Sequence, residues 1–210
     1  MTEESQDLQS IQSLKGVGPK SASLLNNLGI FTITDAVMHL PFRYEDRSFI
    51  TPIGEANYQA PVLIEGEIMK SSVVFRGRRM LFTEIYDGTG KLTMRMFNFA
   101  MAQHKALEEG KMIRCYGNIT PGPNGKQMIH PQYQVFEKDV EIEIEENLTP
   151  IYPTTSGLQQ NKLKKIIEDS LRFCEEHDLL KENLNTGNYS EFGNLLETLK
   201  FLHKPPVNTD

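Results

Sequence analysis

Apolar residues recur at helical spacing near both ends of the chain and at strand spacing between them. Leu14 precedes a Gly16-Val17-Gly18-Pro19 turn, after which Ala22, Leu24, Leu25 and Leu28 mark one face of a helix. Gly29 is placed to stop that helix. A second helix is predicted from Thr34 or Asp35 through Leu40, ended by Pro41. The pattern then changes. Residues 61–75 (PVLIEGEIMKSSVVF) are continuously or alternately apolar, and residues 78–99 read as two strands joined at Asp87-Gly88-Thr89-Gly90. A short helix over 100–110 ends at Gly110. Residues 111–120 and 126–136 then read as two more strands, separated by Pro121-Gly122-Pro123-Asn124-Gly125. Helical spacing returns with Leu158, Leu163, Ile166, Ile167, Leu171 and Cys174. A last helix over 191–206 is stopped by Pro205 and Pro206.

Three strands, a helix and two strands is the order of an OB-fold, a small five-stranded barrel that often binds nucleic acid through one face and its loops. The expected class is therefore α+β: a five-stranded OB-fold barrel flanked by an N-terminal helical hairpin and a C-terminal helical segment. The boundaries expected are 1–60 helical, 61–136 barrel, 137–153 acidic edge strand or linker, and 154–210 helical. Most aromatics of 61–136 (Phe75, Phe82, Tyr86, Phe97, Phe99, Tyr116, Tyr133 and Phe136) are expected to fill the barrel. Only one or two at loops or strand ends remain to stack on bases. The chain ends four residues after Pro206, an ending expected of a piece of a longer protein.

Charge sharpens this picture once it is divided along the chain. The net charge is −6, yet residues 61–136 carry 10 Lys/Arg against 6 Asp/Glu, a local +4. Residues 137–153 carry 1 and 6, a local −5 that repels DNA. A polyanion partner would be met in the basic segment; a solvated, lysine-richer surface is the plain alternative. No run of 18 apolar residues occurs, and the acidic MTEESQDLQS start is neither a secretory signal nor a transit peptide, so a cytoplasmic protein with no membrane partner is expected. Cys115 and Cys174 have no metal-ligand or CxxC spacing, and reduced thiols are expected.

Catalytic signatures are missing. GTGKL and GPNGKQ are scraps of a phosphate loop; neither is GxxxxGK[ST], and neither lies between a strand and a helix. No DExH box occurs, and the five histidines are scattered. The chain alone is expected to hydrolyse no ATP. The glycine turn resembles a helix-hairpin-helix module, in which the backbone N–H groups of Gly16 and Gly18, aided by Lys20, meet a phosphate at the positive helix end. An ordinary helical hairpin explains the same glycines.

Several motifs occur together and in order: LKGVGPKSASLLNNLGI, HLPFRYEDRS (39–48), DGTGKLTMRMFNF (87–99), GNITPGPNGKQMIHPQY (117–133), LTPIYPTTSGL (148–158) and LHKPP (202–206). Together they closely resemble the N-terminal part of the RecG family of ATP-dependent DNA helicases, from about residue 8 to 206. The resemblance implies an enzyme that remodels stalled replication forks and Holliday junctions. The OB-fold would be the wedge that splits the duplex, and ATP and Mg²⁺ would be bound by motor domains beyond LHKPP. It implies branched DNA as partner, a single-strand-binding protein as a second candidate partner, and a monomer.

The family's stacking aromatic falls on Phe97 in MRMFNFAM. Its second aromatic falls on Met101, which offers an apolar surface but no ring. Phe99, two residues from Phe97, would share its strand face unless the chain turns there. Arg76, Arg78 and Arg79 sit before the second strand, where a basic tip can follow phosphates, with Lys91 and Arg95 as further candidates. Against these stand barrel core for Phe97 and plain solvent exposure for each cation. The alternative function is a stand-alone OB-fold that binds single strands or a protein.

Overall fold

The computed structural model describes residues 9–180 and 194–207. After a 3₁₀ turn at Ile11–Ser13 come helices α1 (Pro19–Asn26) and α2 (Ile33–Met38) and strands β1 (Arg43–Glu45), β2 (Pro61–Arg76), β3 (Arg78–Tyr86) and β4 (Lys91–Met96). Helix α3 (Met101–Ala106) follows, then β5 (Met112–Gly122), β6 (Gly125–Ile129), β7 (Gln132–Phe136) and β8 (Thr149–Ile151), and finally α4 (Gln160–Glu176) and α5 (Leu195–His203). Two compact units result, Met1–Asp46 with Glu146–Asp210, and Arg47–Glu145. The helical segments at the two ends thus belong to one unit, and residues 47–60 cluster with the strands rather than with the N-terminal helices.

In the helical unit, Gly16 turns the chain at φ +92°, Gly18 caps α1 and Pro19 takes its first position, where the missing N–H costs nothing. Thr32 and Asp35 cap α2 reciprocally: Asp35 N–H donates to Thr32 Oγ1 at 3.1 Å, and Thr32 N–H to Asp35 Oδ2 at 2.9 Å. That box starts the helix at Ile33, a residue before the predicted start, and it stops at Met38 rather than Leu40. Helix α4 buries Leu163, Ile166, Ile167, Leu171 and Cys174 against Ile11, Leu25, Ile33 and Tyr152. Strand β8 pairs antiparallel with β1. Of the last predicted helix, residues 191–193 lie outside the described residues; the rest forms α5, ending at His203.

In the strand unit, the pairings close on themselves. The first half of β2 pairs with β5 and the second half with β3, with an irregularity at Ile68/Lys70. Strand β3 pairs with β4, β4 runs parallel to β6, and β6 returns to β5. The expected fifth strand over 126–136 is two. Pro131 has no N–H for a ladder and His130 adopts φ +49°, so the chain breaks after Ile129 and β7 pairs with β5 instead. Between Phe136 and Thr149 no strand forms; Arg114, paired with Glu65 at 2.7 Å, holds this acidic segment through the carbonyls of Ile142 and Glu143, both at 2.9 Å.

The core of this unit departs from expectation. Its buried cluster is Ile53, Ala56, Ile64, Ile68, Leu81, Ile85, Leu92, Met94, Met96, Leu107, Ile113, Cys115, Ile119 and Met128, without one aromatic. Phe99 and Tyr133 only pack against it in part, and Phe75 is 76% exposed. Unbranched methionines and branched aliphatics fill the cluster, and of the aromatics expected to fill the barrel only Tyr116 is buried. Cys115 and Cys174 are free thiols, each buried in a different core.

Candidate nucleic-acid interface

The β2–β3 hairpin reaches past the sheet. Strand β4 ends at Met96, opposite Leu81, and β5 covers β2 only from Pro61 to Glu67. Residues 70–76 of β2 therefore pair only with β3. Gly77 makes the tip at φ +74°, a conformation that side chains resist. Between Glu67 and Glu84 there is no acidic residue, while Lys70, Arg76, Arg78 and Arg79 are basic. A protruding cationic ribbon of this kind attracts a polyanion.

Neighbouring residues of a strand point to opposite faces, and residues opposite each other in an antiparallel pair share a face. Arg78 and Arg79 therefore serve different faces. On the first, the Arg78 guanidinium lies 3.9 Å from the centre of the Phe97 ring, with Arg95 at 5.4 Å. The His130 ring meets Phe97 edge-on at 5.4 Å, and Phe97 N–H donates to His130 Nε2 at 3.3 Å, which places the His130 proton on Nδ1. Arg95 donates to Gln127 Oε1 at 2.9 Å and lies 5.1 Å from the Phe82 ring; its Nε is buried without a partner. Beside it runs a groove of about 310 Å³, lined by Met80, Phe82, Arg95, Lys126 and Gln127 among others. On the second face, Arg79 lies 4.6 Å from the Phe99 ring and donates to the Phe99 carbonyl at 3.2 Å.

Three of the residues singled out from sequence, Phe97, Arg78 and Arg95, thus meet at one point. Phe97 is half-buried and outside the core cluster. Phe99 does not share its face: β4 stops at Met96, the chain turns, and the two rings sit under different arginines. Met101 is 48% exposed at the first position of α3. Lys91 is exposed at the far end of β4, opposite Tyr86, away from this cluster. Arg76 is opposite Arg78 in register; its side chain lies outside the described residues. Gly16, Gly18 and Lys20 belong to the helical unit, where a Cβ on either glycine would meet nothing within 4 Å and Lys20 is exposed. Sequence reasoning missed His130, Gln127 and the exposure of Phe75. A Phe beside an RGRR tip was a legible signal; the reach of His130 across the sheet was not.

Among the described residues no group of His, Cys, Asp and Glu could hold a metal, and no helix is long and apolar enough to cross a membrane.

Residues 10–174 match the model of the RecG wedge domain. The ATP-dependent DNA helicase RecG of Escherichia coli O157:H7 is 39% identical over 98% of this chain, and that of Pasteurella multocida is 35% identical over 98%. In both cases the chain spans 30% of the relative's length. Among solved structures, RecG bound to a three-way DNA junction superposes with a TM-score of 0.76 at 26% identity, over 94% of this chain and 27% of that one.

Proposed function

The chain belongs to the RecG wedge-domain family, and on that premise we propose that it is the DNA-binding, strand-parting portion of a helicase that acts on stalled forks and Holliday junctions. We read the ring β2-β3-β4-β6-β5, with α3 between β4 and β5, as a five-stranded OB-fold barrel carrying β7 as an addition and flanked by the helical unit. The reading is supported by the relatives' name and by the solved relative bound to a three-way junction. One observation carries it: Phe97 is kept outside the aliphatic core cluster, under Arg78, where the acid-free tip of the hairpin leaves the sheet.

The geometry suits a wedge. Parting a duplex breaks about 1.4 kcal/mol of stacking per step, and a base stacked on an aromatic ring regains about 1–3 kcal/mol. Arg78 covers that ring in the free protein, and an exposed cation–π contact contributes only about 0.5–1 kcal/mol. An arriving base therefore displaces the guanidinium, which is released to a backbone phosphate. Arg79 remains anchored on the Phe99 carbonyl with N–H groups to spare. Exposed Met101 and, at the far end of β4, exposed Lys91 are further DNA contacts in this reading, and the Gly16–Lys20 turn offers a secondary phosphate contact from the helical unit.

ATP and Mg²⁺ are assigned to the longer parent, since the relatives are ATP-dependent and this chain has no GxxxxGK[ST] loop. We further propose a cytoplasmic monomer, with a single-strand-binding protein as second partner. Titration of labelled three-way junction and plain duplex at two salt concentrations tests the reading. Junction should bind more tightly, with a log–log salt slope of about −3 if three cations meet phosphates. Equal affinity for both DNAs sinks it. A second reading, single-strand binding without a branch, is favoured only by the groove at Phe82 and Arg95, and would show as oligonucleotide binding equal to junction binding.

A further inference from the structure

The most exposed large apolar side chain among the described residues is Phe75, at 76%. It stands one residue from the basic tip, opposite Arg79 in the register, and so shares the face of Arg79 rather than that of Arg78 and Phe97. Val73, two residues back on the same face, is also exposed. Neither packs in the core, which closes without them. Covering a ring of this size is favourable, and this one stands uncovered opposite Arg79, open to a ligand that arrives from outside.

The two faces of the hairpin are built alike up to a point. Each has an arginine over a phenylalanine, Arg78 over Phe97 and Arg79 over Phe99. They differ in which ring is available. Phe97 is outside the core, whereas Phe99 packs against it and its carbonyl holds Arg79 in place. On the second face the open ring is Phe75. The surrounding charge fits one class of ligand. No carboxylate occurs between Glu67 and Glu84, and Arg79 stands beside the ring to meet a phosphate.

We propose that Phe75 receives an unpaired base of the second DNA strand on the face opposite Phe97, so that the hairpin carries one ring for each of the two strands it parts. This rests on the junction-parting function proposed above. The hairpin is two-sided: its backbone enters between the strands, and each strand leaves along its own face.

The test uses the 210-residue chain and a three-way junction with one thymine beside the branch on each parted strand. Permanganate oxidises unstacked thymines and spares those covered by a ring. The wild-type chain should shield both. Phe97→Ala should expose one thymine and Phe75→Ala the other, with junction affinity lower by at least about fivefold in each, the equivalent of about 1 kcal/mol of stacking. Phe75→Tyr should restore shielding. Because Phe75 is exposed, the melting temperature of Phe75→Ala should match wild type, which separates lost contact from lost fold. Phe75→Ala that leaves both thymines shielded overturns the proposal while the wedge reading stands. Exposure of the same thymine by both variants overturns it too, because the hairpin would then be one-sided. If Phe75→Ala changes only self-association of the chain, the surface is a protein contact and the proposal fails. If wild type shields neither thymine and prefers duplex, the wedge reading falls and this inference falls with it.

Discussion

The two units differ in whether a ring enters the buried core cluster. In the helical unit Tyr152 lies inside the core, where its hydroxyl donates to His203 Nδ1 at 2.9 Å and His203 Nε2 donates to the Val37 carbonyl at 2.7 Å. In the strand unit the core is aliphatic, and Phe75, Phe82 and Phe97 stay outside it beside arginines. Charge divides the same way. The helical unit holds 10 Lys/Arg and 16 Asp/Glu, a net −6, while the strand unit holds 12 of each, with no acid between Glu67 and Glu84 around the hairpin tip. A ring inside a core packs. A ring held outside a core that is already full is free to meet a ligand.

The largest effects should come from the two cores. Ile167 and Ile85 are fully buried in the helical and strand units. Ile167→Ala and Ile85→Ala should each cost about 2–5 kcal/mol in urea unfolding. Phe97→Ala should cost clearly less stability than Ile85→Ala, yet lower junction affinity by about 5- to 150-fold, the equivalent of about 1–3 kcal/mol of stacking. Equal destabilisation by Phe97→Ala and Ile85→Ala would make Phe97 a core residue and erase the contrast between the units.

Much of this was legible in the sequence, for reasons particular to each element. The Gly16–Pro19 turn, the Asp87–Gly90 turn and the 3.6-residue period of α4 are local signals, and the structure follows them. What failed depended on distance. Alternation shows that β3 and β4 have two faces, but both faces are partly apolar here, so the pattern does not tell which one takes Phe82 and Phe97. The break at His130-Pro131 has a local cause, yet its consequence, β7 crossing to pair with β5, is tertiary. The cluster of Phe97 with Arg78 and His130 joins residues 19 and 33 positions apart. No spacing rule covers that.

Next in size is a difference in acid sensitivity. Burial, with His39 nearby, holds the His203 imidazole below its ordinary range even though its hydrogen bond to Val37 favours the charged form. A lowered folded pKa means that protonation favours the unfolded chain. The stability His203 contributes is full above about pH 6.5 and falls as pH drops through the lowered folded value. Asp87 behaves as its counterpart in the strand unit. Burial raises its carboxyl, but N–H donors from Ile53, Thr89 and Gly90 and the Thr89 hydroxyl outweigh that and hold it below the usual carboxylate value. Its loss begins only below about pH 4. Urea melts across this range should therefore weaken the helical unit first, and His203→Gln should remove that first step. Tyr152→Phe, which leaves His203 Nδ1 without its donor, should cost about 1–3 kcal/mol at neutral pH. A first loss that persists in His203→Gln would assign the acid sensitivity to another group.

The smallest effect belongs to Lys20. It is exposed on α1 next to the Gly18 cap, in the unit that carries the whole of the negative net charge. A contact there can neutralise one phosphate but cannot read a branch, since no exposed ring stands beside it in the cap. Lys20→Ala should weaken duplex and junction alike and make the log–log salt slope shallower by about 1. Arg78→Ala should change junction more than duplex, because its guanidinium governs access to the Phe97 ring. If Lys20→Ala leaves the slope unchanged, the helical unit touches no DNA and the glycine turn is only a turn. If Lys20→Ala selectively removes junction preference, branch recognition extends into the helical unit, and the division of labour drawn from the rings is wrong.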